Sequence, residues 1–187
     1  MRIIAGRLKG RRLKAPPGLA VRPTSDRVRE NLFNILGVQV EGSSFLDLYA
    51  GTGAIGLEAL SRGARRIVWV DNNPVSLRIL DQNRRSCGVA ETGEVITGNL
   101  PDALYQVAGS FDLVFADPPY AFDGVEALLG HAAWERIVHS ESLLVLERDI
   151  RHSPPTRAGL WVQYRTVHYG ETALHFYRRG LPADEQV

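Results

Sequence analysis

Phe45-Leu46-Asp47-Leu48-Tyr49-Ala50-Gly51-Thr52-Gly53-Ala54-Ile55-Gly56 is the stretch of sequence that decides the fold. Its first four residues have the composition of a buried strand, and a helical pattern begins at Ala54. Asp71 ends the next apolar run, 20 residues after Gly51. Glycines at such a turn let the backbone approach a ligand, and an acid at the second strand end can accept hydrogen bonds from ribose hydroxyls. The arrangement predicts a site for a nucleoside-type cofactor, with a purely structural glycine turn as the alternative.

The pattern around this stretch alternates strands with helices. Strands are predicted at residues 45–48, 67–70, 94–97, 111–116 and 143–146, with helices at 54–61, 74–85 and 124–133. An earlier helix is predicted from Ser25, a possible N-cap, to Gly37, and two β-rich runs at 161–167 and 172–177 predict an antiparallel hairpin. Buried strands separated by helices are typical of an α/β protein with a doubly wound parallel sheet.

Composition limits the class of protein. The 187 residues are 44% apolar and 23% charged, which predicts one globular domain and excludes a disordered or collagen-like chain. No apolar run approaches membrane length, and Arg2 and Arg7 interrupt any apolar signal segment. Cys87 is the single cysteine, so no internal disulfide can form, and the five histidines show no metal-ligand spacing. We expect a soluble cytoplasmic protein without a metal site.

Positive charge is concentrated at the N-terminus. Residues 1–30 hold nine Lys or Arg against two acids, a local net charge of +7 in a chain whose total is +1. Such a segment on a mildly acidic body favours a polyanion partner, although a solvated basic tail is an equal alternative. The candidate nucleic-acid-binding residues are Arg2, Arg7, Lys9, Arg11, Arg12, Lys14, Arg22, Arg27 and Arg29.

Asp47 separates two cofactor classes that share the glycine-rich fingerprint. It lies four positions before Gly51, at the carboxyl end of the first core strand. The pyrophosphate of NAD would be repelled there, whereas the ammonium and sulfonium groups of S-adenosylmethionine would find a carboxylate partner. The residues therefore favour S-adenosylmethionine. The alternative for Asp47 is a structural cap, in which its carboxylate accepts backbone N–H groups of the glycine loop (residues 49–56).

Asp117-Pro118-Pro119-Tyr120 follows directly after the strand predicted at 111–116, so we expect it at the same sheet edge. The two prolines stiffen the turn and lack N–H donors, which leaves their carbonyls free to point into a cleft. If Asp117 and the Pro118 carbonyl accept the two N–H groups of an exocyclic base amine, its lone pair can turn toward a methyl group. Tyr120 would stack on the extruded base. We predict that these four residues are catalytic; a rigid Asp-Pro turn capped by an aromatic side chain is the alternative.

These motifs together resemble a known enzyme family. Leu46-Asp47-Leu48-Tyr49-Ala50-Gly51-Thr52-Gly53 with Asp117-Pro118-Pro119-Tyr120 is similar to class I S-adenosylmethionine-dependent amino-methyltransferases. Arg22-Pro23-Thr24-Ser25-Asp26-Arg27-Val28-Arg29-Glu30-Asn31-Leu32-Phe33-Asn34 resembles one branch of them, the RsmD family. That family methylates the guanine N2 amine at position 966 of bacterial 16S ribosomal RNA. The similarity covers nearly the whole chain.

The resemblance implies a Rossmann-like class I methyltransferase fold with a seven-stranded, mostly parallel sheet and a C-terminal antiparallel hairpin. Residues 1–24 would form a small basic RNA-binding extension and 25–187 the methyltransferase domain. Within the extension, the residues themselves predict a β-hairpin, because Ile3-Ile4-Ala5 and Arg12-Leu13-Lys14-Ala15 flank a short glycine-containing segment. By position, Asp47 and residues 51–53 would hold the methionine part, Asp71 the ribose, and Asn99 with Leu100 the adenine. Many relatives have Asp in place of Asn99, whose amide oxygen can still accept from adenine. The cofactor-binding set is Asp47, Ala50, Gly51, Thr52, Gly53, Asp71, Asn72, Asn99 and Leu100.

The resemblance also implies a partner, which is 16S ribosomal RNA in the small ribosomal subunit or an assembly intermediate. We expect the enzyme to be a monomer. An N6-adenine DNA methyltransferase could use Asp-Pro-Pro-Tyr equally well, but 187 residues leave little room for the added domain that duplex DNA usually requires. An NAD-dependent dehydrogenase is a second rival. A third is a ribosome-assembly factor with a vestigial methyltransferase fold, against which the intact Asp117 and the complete glycine loop argue.

Overall fold

One mixed sheet runs through the part of the chain that the computed structural model describes, residues 1–16, 25–119 and 121–180. Its strands are β1 (Ser44–Leu48), β2 (Arg66–Asp71), β3 (Glu94–Thr97), β4 (Phe111–Ala116), β5 (Val138–Asp149), β6 (Arg157–Ala158), β7 (Trp161–Tyr169) and β8 (Thr172–Arg179). The α-helices are α1 (Asp26–Leu36), α2 (Ala54–Ser61), α3 (Pro74–Ser86), α4 (Val125–Leu129) and α5 (Trp134–Ile137). Short 3-10 helices lie at Gly37–Val40 and Asp102–Gln106. None of the described helices is long and apolar enough to cross a bilayer.

The strand order β3-β2-β1-β4-β5-β8-β7-β6 divides the sheet into a parallel and an antiparallel part. Strands β1 to β5 pair in parallel, whereas β8 runs antiparallel to both β5 and β7. The α/β fold and the C-terminal hairpin are therefore confirmed. The sheet has one strand more than the seven expected, because Arg157–Ala158 pairs with Trp161 and Val162. Two residues are too few to produce a periodic pattern in a sequence.

Local signals explain where the helices begin and end. The Ser25 hydroxyl accepts the Val28 N–H at the start of α1, and Asn73 caps α3 immediately before Pro74. The helix expected at 124–133 ends early, at Leu129, and a second short helix that was not predicted, α5, begins beyond that range at Trp134. Gly130 is the C-cap of α4, and a glycine there favours termination over continued helix.

Apolar side chains cover both faces of the sheet. On one face, Phe33 of α1 stacks on Phe45 of β1 with ring centroids 6.2 Å apart. On the other face, Trp134 and Trp161 meet edge-on at 5.4 Å. Every residue of β1 and α2 is buried, so the strand and the helix on either side of the glycine loop are held in place by packing.

Residues 1–16 form an antiparallel loop, the basic loop, that packs against the domain. Arg2 pairs with Arg12 across it, as a hairpin would require, although only by an isolated bridge. Ile3 and Leu13 are buried in the same apolar core as α1 and α2. The first 16 residues therefore share a core with the rest of the chain, while residues 17–24 lie outside the described part.

Glu58 of α2 anchors the basic loop through a fully buried carboxylate. It accepts the backbone N–H groups of Ile4 at 2.8 Å and Ala5 at 3.0 Å. Gly6 has a φ of +78°, and a Cβ there would fall 1.8 Å from the carbonyl oxygen of Ser61. The backbone of the basic loop thus approaches the end of α2 as closely as a glycine allows.

Candidate active site

Three acidic residues meet where neighbouring parallel strands end. Asp47 of β1 lies opposite Trp69 of β2 and Phe115 of β4. Asp71 is the last residue of β2, and Asp117 follows β4 directly. Parallel strands in this register end at one edge of the sheet, where α/β proteins bind their ligands. The structure therefore brings together residues that lie in separate motifs of the sequence.

The glycine loop places the start of α2 against β2. Gly51 and Gly53 have φ angles of 54° and 76°, in the left-handed region. A Cβ at Gly53 would fall 2.0 Å from Cδ1 of Leu80, and one at Gly56 would fall 2.2 Å from Nε1 of Trp69. A side chain at Gly56 would push α2 away from Trp69 of β2, and a side chain at Gly53 would displace the Leu80 side chain of α3.

Asp71 fastens the glycine loop to the end of β2. Its Oδ2 accepts the Gly51 N–H at 2.7 Å, and its Oδ1 accepts the Asn73 N–H at 2.7 Å. A carboxylate oxygen can accept two hydrogen bonds, so both oxygens keep acceptor capacity for ribose hydroxyls. Asp71 thus shapes the loop whether or not a ligand is bound.

Asp47 is a buried carboxyl group whose charged form is disfavoured by burial and by two neighbouring acidic residues. Its Oδ2 accepts the Gly56 N–H at 2.9 Å, which is the structural cap that the sequence left open as an alternative. Burial raises the pKa of Asp47 well above its usual value, the Gly56 bond lowers it, and the charges of Asp117 and Asp71 raise it further. A cationic ligand group would relieve this crowding of negative charge. Within the described residues, no group of three His, Cys, Asp or Glu is placed to hold a metal ion.

The residues expected to border adenine form a separate cluster next to Asp71. Nδ2 of Asn72 donates to Oδ1 of Asn99 at 2.7 Å, and Leu100 packs against the apolar core on the second face of the sheet. Ala50 donates its N–H to the Val70 carbonyl at 3.1 Å. This hydrogen bond extends the contact with β2 beyond the end of β1, into the glycine loop. The two asparagines thus sit at neighbouring strand ends as one hydrogen-bonded pair.

Asn83 is a residue of this region that the sequence reading missed. It is fully buried on α3, where Nδ2 donates to the carbonyls of Thr52 at 3.0 Å and Lys14 at 3.1 Å. Its Oδ1 accepts the Lys14 N–H at 2.8 Å. One side chain therefore joins the glycine loop to the basic loop. The feature of the sequence that could have identified Asn83 is its position as a polar residue on the apolar face of an amphipathic helix.

The turn that follows β4 carries the expected catalytic residues. Asp117 donates its N–H to the Leu48 carbonyl at 3.4 Å, which ties the turn to β1. Pro118 is buried and Pro119 exposed, and the Pro119 carbonyl accepts the Phe122 N–H at 2.8 Å. Tyr120 lies outside the described residues.

Arg148 is a second residue that the sequence reading missed. This buried side chain near the end of β5 donates from Nη1 to the Pro119 carbonyl at 3.3 Å and from Nη2 to the Phe122 carbonyl at 3.0 Å. Its signal was a cation two residues after the apolar run 143–146, in the strand beside β4.

Most candidate nucleic-acid-binding residues are exposed, and one is not. The exposed ones are Arg2, Arg7, Lys9, Arg11, Arg12, Lys14 and Arg27. Arg29 is fully buried, and its Nη2 donates to the Arg2 carbonyl at 2.6 Å and to Asp26 at 2.9 Å. This arginine joins α1 to the basic loop and is not available to a polyanion. Arg22 lies outside the described residues.

Comparison with known proteins places the chain among methyltransferases. A family model described as "Conserved hypothetical protein 95" matches residues 1–178. The chain is 34% identical over 182 residues to "Putative rRNA methyltransferase YlbH" of Bacillus subtilis, covering 96% of this chain and 99% of that protein. It is 32% identical over 179 residues to "Ribosomal RNA small subunit methyltransferase D" of Escherichia coli K12, covering 96% and 90%.

Solved structures share the fold. The structure titled "Putative methyltransferase yhhF from Escherichia coli" matches with a TM-score of 0.82 at 34% identity, covering 96% of this chain and 97% of that one. An RNA methyltransferase from Salinibacter ruber, solved with S-adenosyl-L-homocysteine, matches with a TM-score of 0.65 at 20% identity, covering 87% and 98%. The second likeness concerns the fold alone.

Replacing Asp47 with asparagine should stabilise the ligand-free protein near neutral pH. The amide oxygen can still accept the Gly56 N–H, but the buried charge that faces Asp71 and Asp117 is removed. Because the pKa of Asp47 is raised in the folded state, the stability that this group contributes is lost as the pH rises. The variant's gain in free energy of unfolding should therefore be present at neutral pH and vanish below about pH 4, where the carboxyl of the unfolded chain is also protonated.

Urea unfolding at several pH values measures this effect. Asp123→Asn, an isosteric change of an exposed carboxyl, is the control and should alter stability little at any pH. An Asp47→Asn variant that is less stable than the parent at neutral pH would show that burial and the neighbouring carboxylates do not destabilise the charged form of Asp47.

Proposed function

Because this chain belongs to the family described as "Conserved hypothetical protein 95", we propose that it transfers a methyl group from S-adenosylmethionine to a guanine N2 amine of 16S ribosomal RNA. Family membership supports ribosomal RNA methylation with S-adenosylmethionine. The finer parts of the proposal are the guanine, its N2 amine and position 966. The observation that carries the proposal is the convergence of Asp47, Asp71 and Asp117 beside the glycine loop.

The residues at the sheet edge fit S-adenosylmethionine, which supplies a methyl group on a positively charged sulfur. Asp47 would face the ammonium of the methionine part, and Gly51 to Gly53 would let the backbone approach it. Asp71 would accept the ribose hydroxyls while holding the glycine loop. The Asn72–Asn99 pair and Leu100 would border the adenine. A pyrophosphate would add negative charge to this edge, which disfavours NAD.

Asp117 would act on the target amine. Its carboxylate accepts one N–H and the Pro118 carbonyl accepts the other, which directs the nitrogen lone pair toward the methyl group. A nitrogen–carbon bond forms as the sulfur–carbon bond breaks, and the nitrogen then loses one proton to Asp117 or to water. Tyr120 would stack on the extruded base.

An RNA substrate is supported by the exposed cations of the basic loop and by the names of the relatives. We propose that the substrate is 16S RNA within the small ribosomal subunit or its precursor, in the cytoplasm. We propose a monomeric enzyme, because the two edge strands of the described sheet, β3 and β6, are only four and two residues long and offer little backbone to a second sheet.

Nucleoside analysis of small-subunit RNA from cells with and without the gene tests the proposed function. We expect one N2-methylguanosine, at position 966, to disappear on deletion and to return with the parent gene. Unchanged RNA together with a lost N6-methyladenine in DNA would establish the rival DNA methyltransferase instead.

Replacing Asp117 with alanine should lower the rate of methyl transfer by about 10²–10³-fold, because a preorganised hydrogen-bond acceptor for the target amine is removed. Binding of S-adenosylmethionine, measured by calorimetry, should stay near the parental affinity. Asp123→Ala, six residues along the chain, is the control and should transfer methyl groups at the parental rate. Parental transfer by Asp117→Ala would contradict the catalytic role.

Neutralising three exposed cations should weaken RNA binding and make it less dependent on salt. We choose Lys9, Arg12 and Arg27 for a triple change to glutamine, rather than a truncation, because truncation would leave buried Glu58 without its Ile4 and Ala5 partners. Counterion release predicts a log–log salt slope that becomes shallower by about 0.7 for each phosphate that the variant no longer neutralises.

RNA titrations at several salt concentrations measure this slope. Glutamine at three exposed arginines elsewhere in the fold, Arg65, Arg157 and Arg178, is the matched control. Equal slopes for the two triple variants would show that the basic loop is only a solvated surface. Affinity for S-adenosylmethionine should remain parental in both.

A further inference from the structure

Arg148 binds two residues that lie on either side of Tyr120 in the sequence, Pro119 and Phe122. Its guanidinium donates to the carbonyls of Pro119 at 3.3 Å and Phe122 at 3.0 Å. The Phe122 N–H closes the same turn by donating to the Pro119 carbonyl at 2.8 Å. β5, which carries Arg148, is hydrogen-bonded to β4, which leads into the turn. A single side chain from the neighbouring strand therefore holds the segment that begins at Asp117.

The surroundings keep Arg148 charged. Burial lowers the pKa of Arg148, and the charge of Asp117 is the largest influence in the opposite direction; an arginine remains protonated under both. Asp149 lies next in sequence, but its carboxylate is bound by Arg151 at 2.8 and 2.7 Å. His175, on neighbouring β8, has a pKa lowered to about 4 by burial first and by its neighbours His168 and Arg148 second, so it is neutral at physiological pH. Arg148 is thus a fixed positive charge that faces Asp117.

The far end of the turn is packed against the glycine loop. The ring of Phe122 meets the ring of Tyr49 edge-on, with centroids 5.5 Å apart. Tyr49 lies between Asp47 and Gly51 and has a φ of 57°, an uncommon conformation for a residue with a side chain. The position of the turn is therefore fixed relative to both β5 and the cofactor-binding loop.

We propose that Arg148 is a positioning residue, which fixes the 117–122 turn so that Asp117 and the Pro118 carbonyl meet the target amine in the geometry that methyl transfer needs. The proposal rests on the proposed function. Arginine suits the task because its planar fork reaches two carbonyls at once, whereas a lysine ammonium on a flexible stem fixes no such geometry. A displacement of about 1 Å in a reacting group can lower a rate by about 10²-fold.

Two substitutions test the role in catalysis. With S-adenosylmethionine and small ribosomal subunits at saturation, Arg148→Met should lower kcat by about 10²-fold, and Arg148→Lys should lower it less. The affinity for S-adenosylmethionine, measured by calorimetry, should be parental in both. A merely structural role would instead change that affinity and kcat together. If Arg148→Met does not fold, the kcat and the cofactor affinity of Arg148→Lys are compared with those of the parent instead, and a parental kcat would overturn the proposal.

Arg179→Met is the matched control. The Arg179 guanidinium also donates to a backbone carbonyl of β5, that of Val138 at 3.0 Å, but at the opposite end of the strand. This variant removes that hydrogen bond and the 2.9 Å ion pair of Arg179 with Glu135 without touching the turn. We expect it to keep the parental kcat, which separates positioning of the turn from general support of β5.

Hydrogen exchange supplies a readout that does not depend on methyl transfer. The backbone amides of Asp117 and of residues 121–124 should exchange faster in Arg148→Met than in the parent or in Arg179→Met, while those of the glycine loop should not change. If the parent methylates small-subunit RNA and Arg148→Met retains the parental kcat, the proposal is overturned. If the parent does not methylate that RNA, the proposed function fails. Unchanged exchange in Arg148→Met would then overturn the role of Arg148 as well.

Discussion

Crowding of like charges at the carboxyl edge of the sheet is the constraint on which the site depends. Parallel pairing of β1 with β2 and β4 brings Asp47, Asp71 and Asp117 to neighbouring strand ends, and burial prevents water from screening Asp47. Burial first, and then the charges of Asp117 and Asp71, raise the pKa of Asp47. We propose that a ligand with an ammonium and a sulfonium relieves this crowding without a proton, so that the electrostatics of this sheet edge favour the methyl donor.

The short helix α2 connects this edge to the surface proposed to bind RNA. It begins at the glycine loop, and its buried Glu58 holds the backbone of Ile4 and Ala5. Asn83 adds a second connection, since its amide binds both Thr52 and Lys14. The basic loop is therefore part of the same packed body as the glycine loop, although its charge pattern alone is equally consistent with a loose tail.

The sequence was sufficient for the elements whose residues are buried and periodic. Glu94–Thr97, Phe111–Ala116 and Ala54–Ser61 have the bounds that were predicted, because their apolar patterns reflect burial directly. Side-chain partners were harder to predict. The charge of Arg29 suggested a polyanion, but which side of α1 packs against the basic loop is decided by tertiary contacts. The role of Arg148 depends on the pairing of β4 with β5, which no local pattern contains.

We propose that the crowded carboxylates bind the cationic end of S-adenosylmethionine. Calorimetric titration of this cofactor into the parent and into Asp47→Asn tests this most directly. The parent should bind one equivalent, and the variant should bind more weakly by roughly 1.5–3 kcal/mol, because a neutral amide replaces the carboxylate in a charge-assisted hydrogen bond. NAD should give no binding heat with either protein. Equal affinity of parent and variant for S-adenosylmethionine would contradict the claim.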